Sequence, residues 1–268
     1  MRNFLFLTSL LCCAPTLMAA PDCKFQQWEA YGKAKVVRHD PTGSYMFSSL
    51  GVKVDADGAP NAYHPDDVGL HCTKGKGFRG LDCPANAGYP KSTWWSSVIV
   101  PDPQNSKKGY VQPDGEFNGY FVSQTSLKDE RKRSTDPLKY VNAAAVPYLV
   151  LPGNFYKRKG TGQMGDFGYA LNIENGRSSS FIVAEVGPSS ADLGEMSIAL
   201  GRELGGNSPN PRTGSGSPTG KIAFVVFPKS RNTPAWPMTQ AEINSKVDEL
   251  LESVGGADAL RDCADILD

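Results

Sequence analysis

Apolar positions in this chain come mostly in short runs, and sustained helical periodicity is rare. β-Branched and aromatic runs bounded by turn residues predict strands over 96–100, 119–123, 146–151, 169–173, 180–186 and 221–227. Pro147, near the start of the third run, suits a strand opening or a sheet edge. Between 168–173 and 180–186, Glu174-Asn175-Gly176 predicts a hairpin, because Asn-Gly supplies the positive φ of a tight turn. Two stretches follow a helical period instead. Thr239-Gln240-Ala241-Glu242 is a capping box, and Ile243, Val247, Leu250, Leu251 and Val254 continue it until Gly255-Gly256. A shorter helix is expected from about 194 to 204, ended by Gly205-Gly206. The Gly-, Ser-, Pro- and Asn-rich stretch 205–220 predicts a mobile surface loop, and the mixed-sign run 128–133 a solvated one. Many strands, few helices and no βαβ alternation give a mainly β or α+β class.

An apolar run, Phe4 to Leu11, follows the basic start at Met1-Arg2 and leads into small residues ending at Ala19-Ala20-Pro21. A basic start, an apolar core too short to span a bilayer and a small-residue exit read as a signal peptide. Residues 1–19 are therefore expected to be removed, with the cut after Ala19 or one residue later, leaving one domain over 20–268. No later segment is apolar enough to cross a membrane. Four cysteines remain, Cys23, Cys72, Cys83 and Cys263, and an even number in an exported chain favours disulfides over metal ligation. Of the three connectivities, Cys72–Cys83, closing a short loop, and Cys23–Cys263, tying the ends, are preferred. Lys plus Arg equals Asp plus Glu at 28 each, so no global field recruits nucleic acid or anionic membrane.

Several chemistries drop out. The stretch 214–221 resembles a phosphate loop, but its glycine spacing is off by one and Ile222 follows Lys221 where a hydroxyl is required. A serine hydrolase would need one of only three histidines, and no Gly-x-Ser-x-Gly elbow exists. Zinc lacks a histidine pair at helical ligand spacing. Carboxylates remain. Glu185 ends an apolar strand, and Glu195 lies at the mouth of the 194–204 helix. Burial would raise the pKa of the first, and a helix N-terminus would favour the second as an anion, so Glu185 reads as an acid and Glu195 as a base. The plainer reading is a solvated strand end and a helix cap. A second cluster, Asp55, Asp57, Tyr63 and His64 on one turn-rich segment, reads as a sugar-binding edge or as a simple Asx-turn loop. Its calcium-loop hint lacks the distal glutamate.

Taken in order, Val54–Pro65, Gly119–Ser123, Val146–Gly153, Gly165-Asp166-Phe167, Glu185–Pro188, Leu193–Leu200 and Phe224–Pro228 resemble the fungal-type chitosanases, glycoside hydrolase family 75, especially bacterial members. That resemblance covers nearly the whole mature chain. It implies inverting endo-hydrolysis of a β-1,4-linked amino-sugar polymer without metal or cofactor. The implied fold is a compact six-stranded β-barrel of the double-psi type with peripheral helices. Glu195 matches the family's catalytic glutamate. The family's aspartate falls on Glu185, one methylene longer, which leaves Asp166 or Asp57 as alternative bearers of the acid role. Asp55, Asp57, Tyr63, His64 and Asp166 are expected to bind substrate, with Trp94, Trp95, Tyr63 and Tyr120 as candidate stacking faces. The expected partner is chitosan or the glycan of peptidoglycan, met by a monomer that is secreted or periplasmic. A non-catalytic glycan-binding protein on the same scaffold is the rival.

Overall fold

The structure, a computed structural model, describes residues 23–74 and 76–267. The expected signal peptide, 1–19, lies outside the described residues. The strands are β1 Gln26–Tyr31, β2 Ala34–His39, β3 Ser44–Ser49, β4 Val54–Asp55, β5 Pro101–Asp102, β6 Asn105–Gly109, β7 Tyr148–Pro152, β8 Phe167–Asn172, β9 Ser178–Gly187, β10 Met196–Ser197 and β11 Ile222–Phe227. The α-helices are α1 Gly153–Tyr156, α2 Ile198–Glu203, α3 Gln240–Glu252 and α4 Gly256–Asp262.

Nine strands form one mixed sheet in the order β1-β2-β3-β11-β8-β9-β7-β10-β4, while β5 and β6 pair separately. The β7–β9 and β10–β4 pairings are parallel and the other pairings of this sheet antiparallel. The mainly β, α+β class holds, but the expected six-stranded closed barrel does not. The order runs open from β1 to β4, lengthened by the β1–β2–β3 meander, which the half-polar run Gln26-Gln27-Trp28-Glu29 conceals in the sequence.

All six residues of β11 are buried, as befits a central strand covered on both faces. Phe224 stacks on Phe47 at 5.0 Å on one face, within a cluster holding Phe181, Val183, Leu149 and Leu151. Val225 and Ala223 join the opposite cluster with Ile182, Tyr148 and Val150, closed over by Ile243, Val247 and Leu251 of α3. Burying those three side chains stabilises the packing by about 1.5–3 kcal/mol each. The α3 capping box forms as expected, with the Glu242 amide donating to Thr239 and Glu242 Oε2 accepting the Thr239 amide at 2.7 Å. The β8–β9 hairpin also forms, with Gly176 at φ 72°.

Residues 96–100 and 119–123 are not strands. Trp94–Ser97 is a 3₁₀ turn, and the second segment makes only isolated bridges, Ile99 to Ser123 and Val111 to Phe121. Its amides are shared among separate segments, Phe121 donating to Tyr63 O and Val122 to Tyr110 O, so no ladder propagates. The run 128–133 is more than a solvated loop: Asp129 is buried, and the buried Lys139 ammonium donates to the Asp129 and Lys132 carbonyls. Nor is 205–220 loose. Asn210 anchors a turn through its carbonyl and side chain, Pro209 is buried, and a Cβ on Gly216 would stand 2.1 Å from Asn207 O.

Cys23 is bonded to Cys263 and Cys72 to Cys83, with Cα–Cα distances of 5.0 and 5.5 Å. No helix among the described residues is long and apolar enough to cross a membrane. The two disulfides fit an exported protein.

Candidate active site

The parallel β7–β9 pair carries the decisive local feature. Tyr148 pairs with Ile182 and Leu149 with Val183, but Val150 pairs with Glu185, so β9 has one extra residue at Ala184. Strict alternation from Phe181 and Val183 would send Glu185 into the apolar cluster those residues occupy. The bulge instead turns it to the face of Tyr148 and Val150, which is how bulges re-aim side chains.

There Glu185 is buried and fully engaged. Its Oε2 accepts the Ser126 amide at 2.7 Å, and its Oε1 accepts the Ser126 hydroxyl at 2.7 Å and the Val186 amide at 2.8 Å. Burial pushes its carboxyl up to about 7 against these three donors, and the Glu195 charge adds to the rise.

Glu195 enters from the other side of β7. The Val150 amide donates to the Glu195 carbonyl at 3.0 Å, so one strand separates the two glutamates. Two strand spacings put their backbones about 9.6 Å apart. The Glu195 carboxylate has no hydrogen-bond donor among the described residues and is half-buried, open to water. Its Oε2 lies 3.3 Å from where a Cβ on Gly187 would stand, so glycine there leaves it room. Burial raises its pKa, partly offset by the Lys53 ammonium. The sequence reading is corrected here: the helix starts only at Ile198, capped by Ser197, and Glu195 sits before β10 rather than at a helix mouth.

β4 is parallel to β10, with Asp55 opposite Ser197, and the buried turn after it brings Asp57 alongside. Tyr148 Oη donates to Asp55 Oδ2 at 2.8 Å and also lies 3.0 Å from the Asp57 carbonyl oxygen. Tyr63 donates to Asp57 Oδ1 at 2.8 Å. Burial first, and then neighbouring carboxylates, raise both aspartates well above their ordinary range. Burial likewise holds both tyrosines in the protonated, donating form. Gly58 makes the turn feasible, since at φ 75° a Cβ would stand 2.1 Å from Val141 O.

Two of the residues expected to bind substrate are held by main-chain groups. Asp166 is fully buried, its carboxylate accepting the amides of Gln163 (2.7 Å), Lys229 (3.0 Å) and Arg231 (3.0 Å), and so ties loops together. His64 Nδ1 caps a 3₁₀ turn by accepting the Asp66 amide at 3.1 Å, and its buried ring meets Tyr120 edge-on. Trp95 and Tyr63 are core residues, Tyr120 is half-buried, and Trp94 is 47 % exposed. Ser126, Tyr148 and Asp82 were not singled out from the sequence. Asp82, buried beside the cluster, accepts the Cys83 amide at 2.7 Å and Asn86 Nδ2 at 2.8 Å. Its position next to a disulfide cysteine was the one available signal.

Neither a protein-family model nor a curated protein matches the chain.

Proposed function

We propose that the protein is an exported glycoside hydrolase, secreted or periplasmic, that cleaves a β-1,4-linked amino-sugar polymer with two carboxyl groups and no cofactor. One observation carries the reading: a buried Glu185 whose proton is retained to about pH 7 stands across a single strand from a half-buried Glu195 whose carboxylate has no hydrogen-bond donor among the described residues. Glu185 protonates the leaving oxygen, and Glu195 takes a proton from the attacking water. The two side chains share one face of the sheet with a single strand between them, an arrangement that leaves space for a water between the carboxyls of an inverting pair. The likeness of the quoted segments to fungal-type chitosanases supports Glu195, and puts Glu185 where that family has an aspartate.

The test is release of reducing ends from chitosan and from peptidoglycan by wild type, Glu185→Gln and Glu195→Gln. Loss of about 10²-fold or more in each variant, on whichever polymer wild type cleaves, is expected. Full activity in Glu195→Gln refutes the site. No release by wild type from either polymer, with binding retained, establishes the non-catalytic alternative.

A further inference from the structure

Between the disulfide loop and α2 lies an open cavity of about 420 Å³, bordered by the residue before Asp82. Phe78 and Leu81 of the disulfide loop form one wall, Ile198 and Arg202 of α2 a second, and Pro209 and Arg212 of the ordered 205–220 segment a third. That volume is within the range of small-ligand sites. Asp82, next to Leu81, links the cavity to the cluster, because its charge acts on Asp57 and Glu195 while Arg212 acts on it.

The two guanidinium groups set its character. Arg212 is fixed, donating through Nη1 to Cys72 O at 2.8 Å, with its guanidinium carbon 4.1 Å from the centre of the Phe78 ring. Arg202 donates through Nη2 to Ala144 O. Neither has a carboxylate within ion-pair distance among the described residues, and the nearby Asp82 is already held by Cys83 and Asn86. A guanidinium stacked on a ring presents its edge N–H groups, the geometry that takes a carboxylate in a paired fashion. A free amine would be repelled by the fixed Arg212, whereas a carboxylated sugar finds its guanidinium at one wall, Arg202 at the rim, and apolar surface from Leu81, Ile198 and Pro209.

From this geometry we infer that the cavity is a subsite for a sugar bearing a carboxylate, so that the glycan bound is an acidic amino-sugar polymer rather than polyglucosamine. This rests on the hydrolase reading for its meaning in turnover. Its binding content stands separately. The carboxylate has two chemical sources, a lactyl ether as on muramic acid and a hexuronic acid.

The test uses oligosaccharides of each source, native and carboxyl-reduced, with chitosan oligomers as the cationic comparison. Calorimetric binding is measured to Glu195→Gln, alone and with Arg202→Gln/Arg212→Gln or Arg202→Lys/Arg212→Lys added. Hydrolysis by the otherwise wild-type protein is measured in parallel. At least about tenfold tighter binding of a native form over its reduced form is expected. The ratio should collapse toward one with the Gln pair and recover only partly with the Lys pair. The source giving the larger ratio is the one recognised. Equal binding of native and reduced forms from both sources, or tighter binding of chitosan oligomers, overturns the subsite. Discrimination in binding without cleavage of any polymer refutes the hydrolase reading and leaves the subsite standing, whereas cleavage without discrimination does the reverse.

Discussion

Replacing Glu185 with Gln should change how stability depends on pH, in a direction set by burial. In the unfolded chain the carboxyl titrates near 4.5, and in the folded protein burial holds it at about 7. Below pH 4.5 the group is protonated in both states and does not affect the balance. Between 4.5 and 7 the unfolded state ionises while the folded state does not, so stability falls as pH rises. Above 7 both are ionised and the loss is complete. A shift of that size corresponds to about 3 kcal/mol. For a chain of this length it amounts to roughly 6–12 °C in melting temperature. Asp55 and Asp57 are raised as well, so the wild-type curve alone mixes several groups. The difference between wild type and Glu185→Gln isolates one. Thermal melts at half-unit pH steps from 4 to 8 should show wild type losing ground to the variant through that window and running parallel outside it. Parallel curves throughout, or a wild type that gains on the variant as pH rises, would refute the desolvated, proton-retaining Glu185.

Ser126→Ala removes a donor that favours ionised Glu185, so the basic limb of the kcat/KM profile should move up by about one pH unit; a downward move contradicts the assignment. Gly58→Ala forces a Cβ against Val141 O at a left-handed φ and should cost more than about 3 kcal/mol in guanidinium unfolding; a wild-type midpoint would show that the Asp57 turn is not built this way. Replacing Cys23 and Cys263 with Ser opens a separation of 240 residues and should cost about 5 kcal/mol, against about 3 for the Cys72–Cys83 pair at a separation of 11; the reverse order in denaturant midpoints would contradict the loop-length account.

What the sequence disclosed was local. The capping box at Thr239, the Asn175-Gly176 turn and the apolar run of β11 each carry their instructions within a few residues, and each formed where expected. Glu185 and Glu195 were found as carboxylates, but not their relation. Alternation along 181–185 puts Glu185 on the wrong face, because the register shift is imposed by β7, more than thirty residues away in the chain. Ser126, Tyr148 and Asp82 reach the cluster only through long-range pairings that carry no periodic trace. Asp166 shows a further limit: its contacts with the amides of Gln163, Lys229 and Arg231 come partly from residues more than sixty positions away.

The pairing order of the central sheet also dictates a timetable. β3 finds no partner on its inner edge until β11, with Ser49 opposite Ile222 and Tyr45 opposite Val226, and β11 then joins β8. A chain emerging from its N-terminus must hold the β1–β3 meander with one bare edge until residue 227 is out, and Cys23 must wait longer still for Cys263. Such distant pairings are slow to form, and an unpaired edge invites other chains. The central sheet can therefore close only once nearly the whole chain is available. The oxidation that joins the two ends is its last stitch, so during synthesis the nascent chain depends on being kept apart from its neighbours.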